Sequence, residues 1–527
     1  MTQQGTLAWP LRRALQLRRD EVAVIDGEVH RTYGELADRL AGLPDGLRAL
    51  GLAEGDRVAG LFLNSHRHLE MWLGVPGAGM VVNDLNIRLA PAELAFIVDD
   101  SGARVLVTDA RHWATSCDLL DRCPSLEALV WADDGPPPDG GTVRWDDLCG
   151  ASGAADDGRW PVASVDGDTL AAISYTGGTT GRPKGVMQTH GNLLANAKHT
   201  MLHNPLLPTD RFLHSSPMFH AAGVANIYGL TWVAGTHVIA PGFDAENVGR
   251  IIEADRVTVA VLVPTMLNMF LAHPATAGRD LSSWRLLIYA ASPIPAELLR
   301  RALAALPCEF SQAYGMTEAC PHVAGSTPDD HRRAVEGDPV AVTRLASCGT
   351  PSVGIDVEVR REDGSTCDVG EIGEIVLRGP NVMRGYWNRP EETAAAFTPD
   401  GFYRSGDLAW IDDGGYLFIV DRSKDMIITG GENVYTSEVE SALHEHPAVI
   451  EVAVFGIPDP RWGEVVHAEV VVAPDATVEA DELVERCREH IAGFKVPRSI
   501  NLRTEPLPKS GAGKILKREL RSQFWPD

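Results

Sequence analysis

Short apolar runs alternate along this chain with longer stretches in which apolar side chains recur at helical spacing. Residues 58–63 read as a strand and 66–77 as a helix; 104–108 repeat the strand pattern before another helical stretch. That alternation predicts a layered α/β architecture. From 348 to 420 the pattern changes to short β-rich runs, among them 356–360 and 374–378, cut by Gly and Pro. These predict a small β-barrel or distorted sheet. Beyond Asp421 a compact unit follows, with a helix near 437–446, strands near 450–456 and 465–473, a helix near 480–492 and a basic tail. The expected organisation is a large N-terminal domain of layered α/β subdomains plus the barrel, residues 1–421, and a small mobile α+β domain, residues 422–527. Residues 133–167, including GPPPDGG, read as a surface excursion.

Composition narrows the function. A chain of 527 residues, 44% of them hydrophobic, exceeds what one core organises and can fill two or more. A formal net charge of −25 argues against nucleic acid and against an anionic membrane as partners, so any site for a polyanion must be locally basic. No window is apolar enough for a membrane span and no signal-peptide core precedes the first charges, which predicts a cytoplasmic protein; a homodimer is compatible with this reading. The eight cysteines form no C-x-x-C pair, so neither a zinc site nor a disulfide framework is expected. Most should be buried, with Cys320 set apart by its place beside a candidate site.

The chemistry starts at YTGGTTGRPKGV, residues 175–186, where a short apolar strand runs into a loop of Gly, Thr, Pro and Lys. Glycines let backbone N–H groups approach an anion, threonines add hydroxyl donors, and Lys184 brings a charge. Pro183 breaks the Walker spacing, so no helix should follow at once. In PMFHAAG, His220 stands beside small residues that leave room for a substrate. QAYGMTEA reads as a strand followed by a turn with Thr317 as a cap. YRSGDLA ends a β-rich run on Asp407, whose carboxylate would suit two ribose hydroxyls.

In order and spacing these segments resemble the adenylate-forming superfamily of acyl-CoA synthetases, luciferases and peptide-synthetase adenylation domains, closest to its fatty-acyl- or aryl-CoA ligase branch. The resemblance implies that Thr176, Gly177, Gly178, Thr179, Thr180, Gly181 and Lys184 grip ATP phosphates, with Gly177 in place of the usual serine. It assigns Ala291, Ser292 and Tyr314 to adenine, Thr317 to the α-phosphate, Glu318 to Mg²⁺, and Asp407 and Arg422 to ribose. Magnesium favours such a set, since it takes one or two carboxylates and completes its shell with phosphates and water. Lys514 is the implied catalytic lysine, screening carboxylate from phosphate, while Lys509 and Lys517 read as surface charges. Asp421 stands where the family usually has glycine.

The implied reaction is attack of a carboxylate on the α-phosphorus of MgATP, giving an acyl-adenylate and pyrophosphate. The C-terminal domain then turns about Lys424 and presents Gly430 and Gly431 to a thiol tunnel, where coenzyme A takes the acyl group. The alternatives are a carrier-protein thiol or another nucleophile as acceptor, or a different oxyacid. Val224, Ala225, Asn226 and Ile227 follow PMFHAAG without the aspartate that would pair an α-amino group. Ala221, Gly223, Met316, Ala319 and Cys320, with His220 as a wall, would suit a fatty or aromatic acid.

Overall fold

The computed structural model describes residues 5–150, 165–176, 183–292, 294–430, 432–473, 476, 478–509 and 515–525. The expected alternation is present: strand Arg57–Leu61 precedes helix His66–Gly77, and strand Ala103–Thr108 precedes helix Trp113–Arg122. The Ser65 side chain accepts from His68 N and starts the first of these helices. That helix is buried at every position, which is why it carries charged and apolar residues without a clean polar face.

Among the described residues the strands form four sheets. An eight-stranded sheet places Leu170–Thr176 between Lys184–Thr189 and Val81–Asp84, and continues through Arg57–Leu61 to Ala103–Thr108. A nine-stranded sheet contains Arg211–His214, Val259–Leu262, Leu286–Ala290 and Glu309–Gly315 as parallel neighbours, with antiparallel strands at both edges. Val259–Leu262 is buried at each position, as a parallel strand covered on both faces must be.

The β-rich segment forms a four-stranded antiparallel sheet of Asp356–Arg360, Gly373–Arg378, Tyr403–Ile411 and Leu417–Arg422. Register shifts between Glu374 and Val376 and between Leu408 and Ala409 bend it, the distorted-sheet form of the expectation. The last sheet joins Ile427–Thr429, Glu432–Val434, Val449–Asp459, Gly463–Val472 and Ser499–Arg503. The hydrophobic core against it, including Ile427, Val454, Val470 and Leu483, draws only on this last part of the chain.

One buried side chain fastens the two large sheets together. Asn64, just beyond strand Arg57–Leu61, donates from Nδ2 to the carbonyls of His214 (3.3 Å) and Ser216 (2.9 Å), and its Oδ1 accepts from Met218 N at 2.8 Å. Six of the eight cysteines are buried and all are free. Among the described residues no helix is long and apolar enough to cross a membrane.

Candidate functional site

Strands Leu170–Thr176 and Lys184–Thr189 are antiparallel neighbours, with Thr176 opposite Lys184. The glycine segment therefore links two strands of a hairpin, and the helix His190–His203 comes only after the second strand, consistent with the broken Walker spacing. Gly177, Gly178, Thr179, Thr180 and Gly181 lie outside the described residues. The hairpin is anchored at its base: Tyr175 donates its hydroxyl to Asp100 Oδ2 at 2.6 Å, and Arg389 donates to Asp100 Oδ1 at 3.0 Å. Lys184 pairs with the Glu392 carboxylate and stands 5.1 Å from the centroid of the Tyr386 ring.

The nucleotide candidates converge from separate elements. Strand Glu309–Gly315 delivers Tyr314, whose hydroxyl donates to Asp407 Oδ2 at 2.6 Å, and Arg422 Nε lies 3.1 Å from Asp407 Oδ1. Asp407 and Arg422 face each other across adjacent antiparallel strands, so backbone pairing sets their spacing. Burial, then the neighbouring Asp407 carboxylate, push the Tyr314 phenol up, so it stays a donor. Gln312, two residues earlier and on the same strand face, has a buried Oε1 without a partner among the described residues, an acceptor open to a donor such as an adenine amine. Ala291, at the end of the adjacent strand, holds φ +76°, a left-handed conformation that is costly for a residue with a Cβ. Ser292 is the next residue in this bend.

Gly315 admits no side chain, because a Cβ there would lie 1.5 Å from the Pro321 carbonyl oxygen. This close approach turns the chain into the short helix Thr317–Ala319. The Thr317 carbonyl accepts from Gln188 Nε2 (3.0 Å), the Glu318 carbonyl from Met383 N (2.7 Å), and the Ala319 carbonyl from Asn381 Nδ2 (2.7 Å). Glu318 Oε1 also accepts from the Tyr386 hydroxyl at 3.2 Å. Burial raises the Glu318 carboxyl above the usual range, the state of a carboxylate that gains from a cation. No group of three metal-ligating side chains occurs among the described residues. A single buried carboxylate fits magnesium, which takes its remaining ligands from phosphate and water.

His220 caps the short helix Ala221–Val224, its Nδ1 accepting from Ala222 N at 3.3 Å. Gly223 is required there, since a Cβ would meet the Pro217 carbonyl oxygen at 2.0 Å. Beside His220 a cleft is lined by Asp84, Asn86, Leu89, Ile97, Tyr175 and Phe219. Met316 packs against the core of the distorted sheet, and Ala319 and Cys320 are buried in cores rather than at this cleft. Burial pushes the Cys320 thiol up, which leaves it an inert small apolar residue.

Gly431 and Lys514 lie outside the described residues. Lys424 sits two residues from Arg422, and burial, followed by the Arg422 charge, lowers its pKa. Gly430 holds φ +60°, donates to the Trp462 carbonyl at 2.8 Å, and would drive a Cβ to 2.7 Å from the Trp462 ring. The guanidinium groups of Arg461 and Arg498 stand 4.7 and 5.3 Å from that ring's centroid. Lys517 is not a surface charge. It reaches Glu440 at 2.7 Å and the Thr436 hydroxyl at 2.6 Å, and Thr436 in turn donates to Asp421 from both its N–H (2.5 Å) and its hydroxyl (3.2 Å). Lys509 likewise pairs with Glu451. Tyr386, Gln188, Asn381 and Trp462 escape a motif reading because each acts through a partner far away in sequence.

Comparison with known proteins agrees with this geometry. The family model described as AMP-binding enzyme matches residues 11–387, and that of the AMP-binding enzyme C-terminal domain matches residues 438–514. A feruloyl-CoA synthase of an Amycolatopsis species is 42% identical over 99% of this chain and 100% of its own length. The long-chain-fatty-acid–CoA ligase FadD13 of Mycobacterium tuberculosis is 37% identical over 94% of each. The crystal structure of ATP-bound MatB from Rhodopseudomonas palustris superposes with a TM-score of 0.86 at 30% identity, covering 98% of this chain and 99% of that one. The chain belongs to the AMP-binding enzyme family.

Proposed function

We propose that this ligase is an acid–thiol ligase acting on a hydroxycinnamic acid, with coenzyme A as the acceptor. The enzyme activates a carboxylic acid with ATP to an acyl-adenylate, releasing pyrophosphate, and then transfers the acyl group to the thiol with release of AMP. The observation that carries this reading is the meeting of Tyr314, Asp407 and Arg422, with Glu318 on the segment that follows the Tyr314 strand and held by Tyr386, whose ring lies beside Lys184 of the glycine hairpin. The 42% identity to a feruloyl-CoA synthase over the whole chain supports an aryl rather than an alkyl acid.

In this reading Asp407 receives the ribose hydroxyls, Arg422 pairs with that carboxylate and orients it, and Tyr314 forms the wall against the adenine. The backbone amides of the glycine segment with Thr176, Thr179, Thr180 and Lys184 hold the departing phosphates, while Thr317 and Lys514 work at the α-phosphorus, where charge develops. Magnesium bound through Glu318 supplies neutralisation of phosphate charge. No enzyme nucleophile is required, so rate comes from placing acid and phosphorus together in a site that excludes water. His220 forms the wall between the acid and the thiol path. The unit beginning at Arg422 turns about Lys424 between the half-reactions. Trp462, flanked by Arg461 and Arg498 beside Gly430, offers a flat cationic platform for the nucleotide end of coenzyme A.

The test is pyrophosphate release with ferulate, cinnamate and palmitate, followed by mass spectrometry with and without coenzyme A. Feruloyl-CoA is the expected product. Turnover confined to palmitate would sink the aryl reading, and an adenylate that never reaches coenzyme A would point to another acceptor.

A further inference from the structure

Strand Gly385–Tyr386 lies along the edge of the glycine hairpin, with Tyr386 opposite Val186 and with Trp387 N donating to the Gly185 carbonyl at 2.7 Å. Thr393 Oγ1 accepts from Tyr386 N at 2.9 Å, so the backbone of this residue is tied on both sides. Lys184 stands two residues before Val186 and therefore on the same face of its strand, which brings its ammonium 5.1 Å from the centroid of the Tyr386 ring. The hydroxyl at the far end of that ring donates to Glu318 Oε1 at 3.2 Å. One side chain, 9% exposed, thus spans from the hairpin to the carboxylate.

A phenol has one hydrogen to give. Because Tyr386 gives it to Glu318, its oxygen remains an acceptor, and the hydroxyl of Tyr403, buried at the start of strand Tyr403–Ile411, lies 3.5 Å from it. The hydroxyls form a chain, Tyr403 to Tyr386 to Glu318, in which each bond strengthens the next. Glu318 is carried on the three-residue helix Thr317–Ala319, whose backbone cannot by itself fix a long flexible side chain.

We propose that Tyr386 is a positioning residue that fixes the Glu318 carboxylate relative to the glycine hairpin, so that the metal carboxylate and the phosphate-binding strands are held as one unit. The inference rests on the reading of Glu318 as the magnesium ligand.

Tyr386→Phe tests it, because it removes the hydroxyl and keeps the ring beside Lys184. Two readouts follow each protein: Mg²⁺ titration of ATP–pyrophosphate exchange, and Mn²⁺ binding by electron paramagnetic resonance in the presence of α,β-methylene-ATP, which needs no turnover. Losing a hydrogen bond to a ligating carboxylate should raise the Mg²⁺ half-saturation and the Mn²⁺ Kd roughly 10-fold or more, while affinity for the analogue without metal stays within about twofold. Tyr403→Phe, one step further along the chain, leaves the bond to Glu318 in place and should move the same constants the same way by less. A residue that only packs would lower the melting temperature without moving either metal constant. If Glu318→Gln leaves both metal constants unchanged, the magnesium reading itself fails. If Glu318→Gln raises them and both tyrosine variants, folded, stay within about twofold of the wild type, Tyr386 does not position the carboxylate. An equal loss of metal-free analogue binding in Tyr386→Phe would also overturn the proposal, since the phosphate strands themselves would then have moved.

Discussion

Replacing Asp407 by asparagine separates the cost of losing a nucleotide contact from the cost of disturbing the fold. Asp407 is 4% exposed and serves two donors, the Tyr314 hydroxyl at 2.6 Å and Arg422 Nε at 3.1 Å. Arg422 can only donate, so the carboxamide oxygen of Asp407→Asn must face it, and the NH₂ then faces Tyr314, whose hydroxyl can turn to accept. Stability therefore loses little. The Arg422 side chain is 38% exposed, which limits that ion pair to about 1 kcal/mol or less, and exchanging one charge-assisted bond for a neutral one adds about 1 kcal/mol. Together these predict a melting temperature lower by a few degrees. The nucleotide loses far more. On the proposed ribose role, two hydroxyls that would donate to the carboxylate, at about 1.5–3 kcal/mol each, give up roughly 3–6 kcal/mol, or about 10²- to 10⁴-fold in kcat/KM for ATP. Differential scanning fluorimetry beside ATP–pyrophosphate exchange reads both quantities on one preparation. Unchanged ATP dependence in a folded variant would refute the ribose assignment, and a collapse of stability in step with activity would make Asp407 a structural residue.

Gly315→Ala should cost more than about 3 kcal/mol or fail to fold, because its Cβ would overlap the Pro321 carbonyl; soluble yield and a melting curve check it, and a wild-type curve would contradict the close approach. Lys517→Met should destabilise the C-terminal unit by about 1–3 kcal/mol by stranding Glu440 and loosening the Thr436 contact, measured by urea unfolding. Acid should unfold the protein steeply. Burial holds His190, His199 and His214 at about 4, and burial with neighbouring histidine charges holds His237 and His322 well below the ordinary value. These depressed groups contribute stability that is complete above about pH 6.5 and is lost as pH falls towards 4, each at up to about 1.4 kcal/mol per pH unit. Thermal melts between pH 7 and pH 5 should show that slope, and a flat profile would count against neutral burial.

The strand and helix spans were largely legible because their apolar periodicity is strong: helix 66–77 falls where the pattern puts it, and the C-terminal elements agree within a few residues. That no helix follows the glycine segment at once was legible because Pro183 breaks the Walker spacing, whereas its pairing as a hairpin was not. What the chain could not reveal is pairing at a distance. Tyr386 reaches Glu318 from 68 residues away and Gln188 reaches Thr317 from 129, and neither has a local signature. Lys517 looked like a solvated tail charge because it belongs to a basic tail with Lys509, Lys514 and Arg518. Its enclosure depends on Glu440, Thr436 and Asp421, which arrive from another helix and another sheet. Asp421 looked like a harmless replacement for glycine, yet its carboxylate receives the first N–H of helix Thr436–His444.

Asn64 has a bearing on how this enzyme can change its diet. With one amide it holds the eight-stranded sheet to three backbone positions of the segment that leads into His220. Because backbone atoms accept and donate these bonds, the gap between the sheets is indifferent to which side chains line it. Substrate range can then drift by exchanging wall residues one at a time, while the frame that times and aligns the chemistry is inherited unchanged.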